Sequence, residues 1–128
     1  MSDETRERTT VLVIDDDQMV LSVTKQLLER IGYDVIMARG GEEAITLGLN
    51  FQNRISIALL DMVMPGMNGP ATFRRLREAM PELKILLCSG YVDNEQVREL
   101  IADGAAGLIR KPFDRKTLDK EIRDALRA

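Results

Sequence analysis

The chain contains no histidine. That absence excludes histidine acid–base catalysis, Ser-His-Asp triads and histidine metal ligands together. It also means that the chain carries no phosphohistidine of its own. Cysteine occurs once, as Cys88, inside the apolar run 85–88. A lone cysteine closes no internal disulfide, so Cys88 is expected to be a buried structural thiol in a reducing, cytoplasmic setting. No apolar run approaches the ~20 residues of a membrane-spanning helix. The first ten residues, MSDETRERTT, lack the apolar segment of a signal peptide. Positive charge is not in excess either. Lys and Arg number 18 against 21 Asp and Glu, a net charge of −3. Nothing in this balance draws the domain to nucleic acid.

What is present describes one globular domain. The 128 residues are 45% hydrophobic and 30% charged. That is enough chain for one core and too little for two ordinary ones. Residues 1–10 read as a flexible leader and 11–128 as the domain.

Short β-branched runs alternate with longer amphipathic ones. Strands are expected at 11–14, 35–37, 57–60, 85–88 and 107–110. Between them, apolar residues recur at helical spacing. Val20, Thr24, Leu27, Leu28 and Ile31 mark a first helix that stops at Gly32. Ala44, Ile45, Leu47 and Phe51 mark a second, opened by Gly40 and Gly41. Gly69-Pro70 starts a third, with Phe73, Leu76 and Met80 on its apolar face. Val97, Leu100 and Ile101 mark a fourth, and Leu118, Ile122, Ala125 and Leu126 a fifth. Five strands alternating with five helices predict an α/β domain, its parallel sheet covered on both faces.

In such a sheet, ligands bind beyond the carboxyl ends of the strands. The residues there are Asp15, Asp16 and Asp17, then Asp61, then Ser89, then Lys111 followed by Pro112. Each alone has an ordinary use as a helix cap, a turn residue or a solvated charge. Together they form an inventory. Carboxylates held close repel unless a cation neutralises them. Asp15 or Asp16 with Asp61 supplies hard oxygen ligands suited to Mg²⁺. A lysine and a serine hydroxyl can hold phosphoryl oxygens, and an aspartate can accept a phosphoryl group.

The runs VLVIDDD (11–17), ALLDMVMPGMNG (58–69), ILLCSGY (85–91) and GLIRKPF (107–113) resemble a response-regulator receiver domain. The resemblance spans nearly the whole chain. It implies a flavodoxin-like, doubly wound, five-stranded parallel sheet of order 2-1-3-4-5 with five flanking helices. It implies that Asp61 accepts a phosphoryl group from a histidine kinase or a histidine phosphotransfer protein. Asp15, Asp16, Asp61 and the backbone carbonyl of Val63 would bind Mg²⁺. Ser89 and Lys111 would contact the phosphoryl group, and the peptide bond before Pro112 would be cis. Asp17 falls outside the implied metal set and is expected to cap the first helix. The S-G-Y after the fourth strand resembles receivers attached to hybrid sensor kinases.

The pattern departs from the family at Leu108, where many receivers carry an aromatic switch residue. Tyr91 and Val63 border the expected site and are read as setting water's access to it. A first rival is an enzyme, since Asp15-Asp16-Asp17 contains the D-x-D of small phosphatases that use the first Asp as nucleophile; a second is a receiver-like interaction module that takes no phosphate, against which the intact Asp61, Lys111 and Ser89 argue. A flavin or nucleotide carrier would need a glycine-rich phosphate loop after the first strand, and the chain has none there.

Overall fold

The computed structural model describes residues 9–63, 68–90 and 95–127. Strands β1 (Thr10–Ile14), β2 (Asp34–Ala38), β3 (Ile55–Asp61), β4 (Lys84–Ser89) and β5 (Gly107–Arg110) alternate with helices. Those helices are α1 (Gln18–Ile31), α2 (Gly41–Asn50), α3 (Gly69–Ala79), α4 (Glu95–Ala102) and α5 (Arg115–Arg127). All strand pairs are parallel, in the order β2-β1-β3-β4-β5. The predicted doubly wound architecture is therefore the one observed.

Alternation along each strand divides the core between the two faces of the sheet. Val11, Val13, Ile57, Leu59, Leu86, Cys88 and Ile109 face one side. There they meet Leu21 and Leu28 of α1 and Leu118, Ile122 and Ala125 of α5. Leu12, Ile14, Ala58, Leu60, Ile85 and Leu87 face the other side. There they meet Ala44 and Ile45 of α2, Phe73 and Leu76 of α3, and Val97 and Leu100 of α4. The central strands are apolar at nearly every position because both of their faces are covered.

The helix ends follow local chemistry. Asp17 caps α1, its carboxylate accepting from the backbone N–H of Met19 at 2.9 Å and Val20 at 3.3 Å. Gly32 closes α1 at φ +120°, a region that disfavours residues with a Cβ. Its N–H donates to the carbonyls of Leu28 and Glu29. Asn68 caps α3 through the N–H of Ala71 at 3.0 Å, with Pro70 in the first turn.

Several expectations need adjusting. Thr9 and Thr10, assigned to the leader, take part in the sheet. Thr10 opens β1, and the Thr9 carbonyl accepts from the Asp34 N–H at 2.9 Å. Residues 1–8 lie outside the described residues. Four of the strands run one or two residues beyond their apolar runs, because backbone pairing continues through polar side chains such as Thr10, Asp34, Lys84 and Ser89. On α1 the buried face is Leu21, Thr24 and Leu28. Leu21 was not on the expected stripe, while Val20, Leu27 and Ile31 flank it half-buried. Ile101 of α4 is exposed. The access role read for Tyr91 falls outside the described residues.

Candidate functional site

Parallel strands end together, so residues far apart in sequence converge at one edge. The register pairs Ile14 with Leu60, which brings Asp15, just past β1, beside Asp61 at the end of β3. Asp61 pairs with Cys88 and Ser89 with Arg110, so Ser89 and Lys111 complete the row. Backbone bonds fix this edge. Asp15 N–H donates to the Ala38 carbonyl at 3.1 Å, Met62 N–H to Cys88 at 3.1 Å, and Lys111 N–H to Ser89 at 2.8 Å. The peptide bond between Lys111 and Pro112 is cis, as expected.

Lys111 joins the two buried carboxylates. Its ammonium donates to Asp15 Oδ2 at 2.8 Å and to Asp61 Oδ1 at 3.2 Å. Asp15 Oδ1 in turn accepts from the Asp17 N–H at 3.0 Å. Asp61 Oδ1 also accepts from the Val63 N–H at 3.4 Å, a long contact. Asp16 is exposed beside them. Ligand oxygens of Asp15, Asp16 and Asp61 all lie within 4.8 Å of one another. Lys111 pairs with two of the three carboxylates, so the cluster keeps a formal excess of negative charge. A divalent cation with oxygen ligands fits that excess. Sequence spacing brought out every member of this cluster except the pairing of Lys111 with Asp15.

The electrostatics of the pair are uneven. Burial pushes the Asp61 carboxyl above the usual carboxylate range. The charge of Lys111 pulls it down, and the charge of Asp15 pushes it up again. For Lys111, burial disfavours the ammonium, but its hydrogen bond to Asp15 and the charges of Asp61 and Asp15 outweigh that and raise it. The lysine gains from two carboxylates, whereas Asp61 shares that lysine with a like-charged neighbour. Cys88, on the strand beside Asp61, is buried, and desolvation pushes its thiol up to about 12. It is the structural thiol that the sequence implied.

Ser89 is buried at the end of β4. Val63 is exposed on the loop after β3. Leu108 is half-buried and packs against the core shared by α2, α3 and α4. Gly69 was read only as a helix start, yet it approaches the backbone just after Asp61. A Cβ there would stand 2.6 Å from Met62 Cα. Beside Lys111 runs an apolar groove of about 470 Å³ that includes Met19, Val20, Val23, Leu27 and Phe113. Met19 is 75% exposed and Val23 51%. No helix among the described residues is long and apolar enough to cross a membrane.

Comparison with known proteins agrees with this geometry. The sequence profile of the response regulator receiver domain matches residues 11–123. The chain is 34% identical over 117 residues to the sensor kinase CckA of Brucella abortus, covering 91% of this chain and 12% of that protein. It is 36% identical over 117 residues to the transcriptional regulatory protein CpxR of Escherichia coli K12, covering 91% of this chain and 49% of that protein. It therefore spans half or less of these relatives. Among solved structures, a receiver domain protein from Clostridium thermocellum superposes with a TM-score of 0.88 at 28% identity, covering 93% of this chain and 94% of that one. CheY in the CheX-CheY-BeF3-Mg²⁺ complex of Borrelia burgdorferi superposes with a TM-score of 0.88 at 26% identity, covering 95% and 92%.

Proposed function

The chain belongs to the response regulator receiver domain family, and from that premise we propose that Asp61 takes a phosphoryl group from a phosphohistidine. The donor is a histidine kinase or a histidine phosphotransfer protein. The family is one of phosphoacceptor signalling domains rather than enzymes, which sets aside the phosphatase reading with Asp15 as nucleophile. The observation that carries the proposal is the position of Asp61. It is 8% exposed at the end of the central strand, within 4.8 Å of two other carboxylates and 3.2 Å from an ammonium.

The reaction follows from the charges. A carboxylate oxygen of Asp61 attacks phosphorus in line with the leaving group. The new P–O bond forms as the P–N bond breaks, and the imidazole departs with that bond's electron pair. Such transfer depends mostly on positioning and charge neutralisation. Lys111 stands beside the attacking carboxylate and turns its ammonium to the phosphoryl oxygens. Ser89 donates its hydroxyl from the neighbouring strand end. Asp15, Asp16, Asp61 and the Val63 carbonyl would hold Mg²⁺, which when bound neutralises charge on the transferring group. The Mg²⁺ in the related Borrelia complex supports that choice of ion.

The aspartyl phosphate is a new dianion at the edge of the sheet. It draws Ser89 and Lys111 toward itself and biases a two-state surface around α4 and β5, where a downstream protein binds. Leu108 shapes that response by its packing volume, since it has neither a hydroxyl nor a flat ring. The test is incubation with a small phosphodonor and Mg²⁺, followed by mass measurement. Wild type is expected to gain one phosphoryl group and Asp61→Asn none. An equal gain in both would refute the proposal.

A further inference from the structure

We propose that Arg77 and Gly104 form a fixed pivot for α4, so that phosphorylation displaces the end of this helix nearest the site and leaves its far end in place. The inference rests on the reading of α4 as part of the two-state surface and says how that surface moves.

The topology puts the two ends of α4 in different surroundings. β4 runs to Ser89 at the edge where Asp61 lies, and the chain enters α4 at Glu95, a few residues later. The helix then returns to the opposite edge, where residues 103–106 lead into β5. Its 8 residues span about 12 Å. Val97 and Leu100 are its buried residues, while Ile101 is 41% exposed. A helix with so little buried surface is held weakly unless one end is pinned.

The far end is pinned. Gly104 closes α4 at φ +110°. Its N–H donates to the Ile101 carbonyl at 3.1 Å, and the Ala105 N–H reaches back to the Leu100 carbonyl at 2.9 Å. Against this turn lies the guanidinium of Arg77, from the last turn of α3. A Cβ on Gly104 would stand 2.9 Å from Arg77 Nη2, 3.3 Å from Cζ and 3.7 Å from Nε. The guanidinium therefore fills the space that a side chain there would take. Arg77 Nη1 also donates to the Pro81 carbonyl at 3.1 Å, in the turn before β4. One planar group thus joins α3, that turn and the end of α4. It is a cation at the negative ends of two helices, which adds to its hold. Its mount is firm, since Phe73 and Leu76 of α3 are buried and the Met80 N–H donates to the Leu76 carbonyl at 2.7 Å.

All of these contacts lie at the edge away from Asp61. A new dianion that draws Ser89 inward therefore acts on the near end of α4. With the far end held, the helix answers by tilting about Gly104 rather than by sliding along the sheet.

NMR on the ¹⁵N-labelled chain, with and without a small phosphodonor and Mg²⁺, tests this. In wild type the amide resonances of residues 95–98 are expected to shift on phosphorylation, and those of 103–106 to stay in place. Arg77→Met removes the planar group. Hydrogen exchange at the amides of 103–105 is then expected to rise at least about fivefold, and their resonances to move on phosphorylation. Arg77→Lys keeps the charge but cannot hold the Pro81 carbonyl and cover Gly104 at once, so it is expected to behave like Arg77→Met. Full rescue by Arg77→Lys would reduce the clasp to a charge and overturn the inference. Wild-type exchange at 103–105 in Arg77→Met would overturn it equally. A wild-type chain whose two segments respond alike would do so without any variant. A chain phosphorylated on Asp61 that fails these tests loses only the pivot, whereas one that takes no phosphate on Asp61 loses the proposed function instead.

Discussion

Gly69→Ala should damage both stability and phosphorylation, for one geometric reason. A Cβ at Gly69 would lie 2.6 Å from Met62 Cα, 2.8 Å from the Met62 carbonyl oxygen and 3.0 Å from the Asp61 carbonyl oxygen. Ordinary carbon contacts sit near 3.5–4.0 Å, so the backbone must retreat by about 1 Å. All three obstacles are main chain, and no side chain can rotate aside. Overpacking of this kind costs about 1–3 kcal/mol, and rigid obstacles place it in the upper part of that range. The gain in helix propensity is small because Gly69 is the first residue of α3. A net loss of about 2 kcal/mol lowers the melting temperature of a domain this size by roughly 6–10 °C. The displaced segment lies between Asp61 and Val63, so small-donor phosphorylation should slow even where the variant is fully folded. Gly48→Ala is the control. Its new Cβ would meet Met80 Sδ at 2.9 Å, the far part of a flexible side chain. Replacing glycine inside a helix also recovers up to ~1 kcal/mol. Its melting temperature should match or exceed wild type, with phosphorylation unchanged. Thermal melts by circular dichroism and phosphorylation rates at 20 °C, for the two variants side by side, decide the matter. A Gly69→Ala protein as stable as Gly48→Ala and phosphorylated at the wild-type rate would refute the close-approach argument.

Two further outcomes follow from the site. Burial raises the Cys88 thiol to about 12, so the nucleophilic thiolate is suppressed across ordinary buffers. Alkylation by iodoacetamide at pH 8 should be negligible in the native chain and rapid in denaturant, and fast native labelling followed by mass measurement would contradict the buried placement. If a protein donor rests in the apolar groove beside Lys111 on its way to Asp61, Val23→Asp should slow transfer from a phosphorylated histidine protein at least about tenfold. The same variant should react with a small phosphodonor at the wild-type rate, and equal slowing of both reactions would locate the effect in the site rather than in docking.

Much of this molecule was legible because a parallel sheet turns sequence order into spatial order. Each apolar run ends at the same edge, so the residue after each run becomes a neighbour of the others. That rule alone brought together Asp15, Asp61, Ser89 and Lys111 from four separate stretches. Asp17 was legible too, since a carboxylate before a helix has a local use that needs no tertiary information. The role read for Tyr91 lies outside the described residues.

What was not legible depends on distances of an ångström or less. Leu21 and Val20 both lie on the apolar side of α1, and only the angle at which the helix meets the sheet decides that Leu21 is the one fully buried. Gly69 carries no sign in the sequence that Met62 passes so near. The pairing of Lys111 with Asp15 is the clearest case. A lysine after a strand is ordinarily solvated, and 96 positions separate these two residues. Spacing could say that they share an edge, and charge could say that they attract. Neither could say that the ammonium lies nearer to Asp15, at 2.8 Å, than to Asp61, at 3.2 Å, nor that the Asp17 N–H holds the other Asp15 oxygen. The capping residue outside the implied metal set thus helps orient a carboxylate inside it. The helix that begins there belongs as much to the site as to the fold.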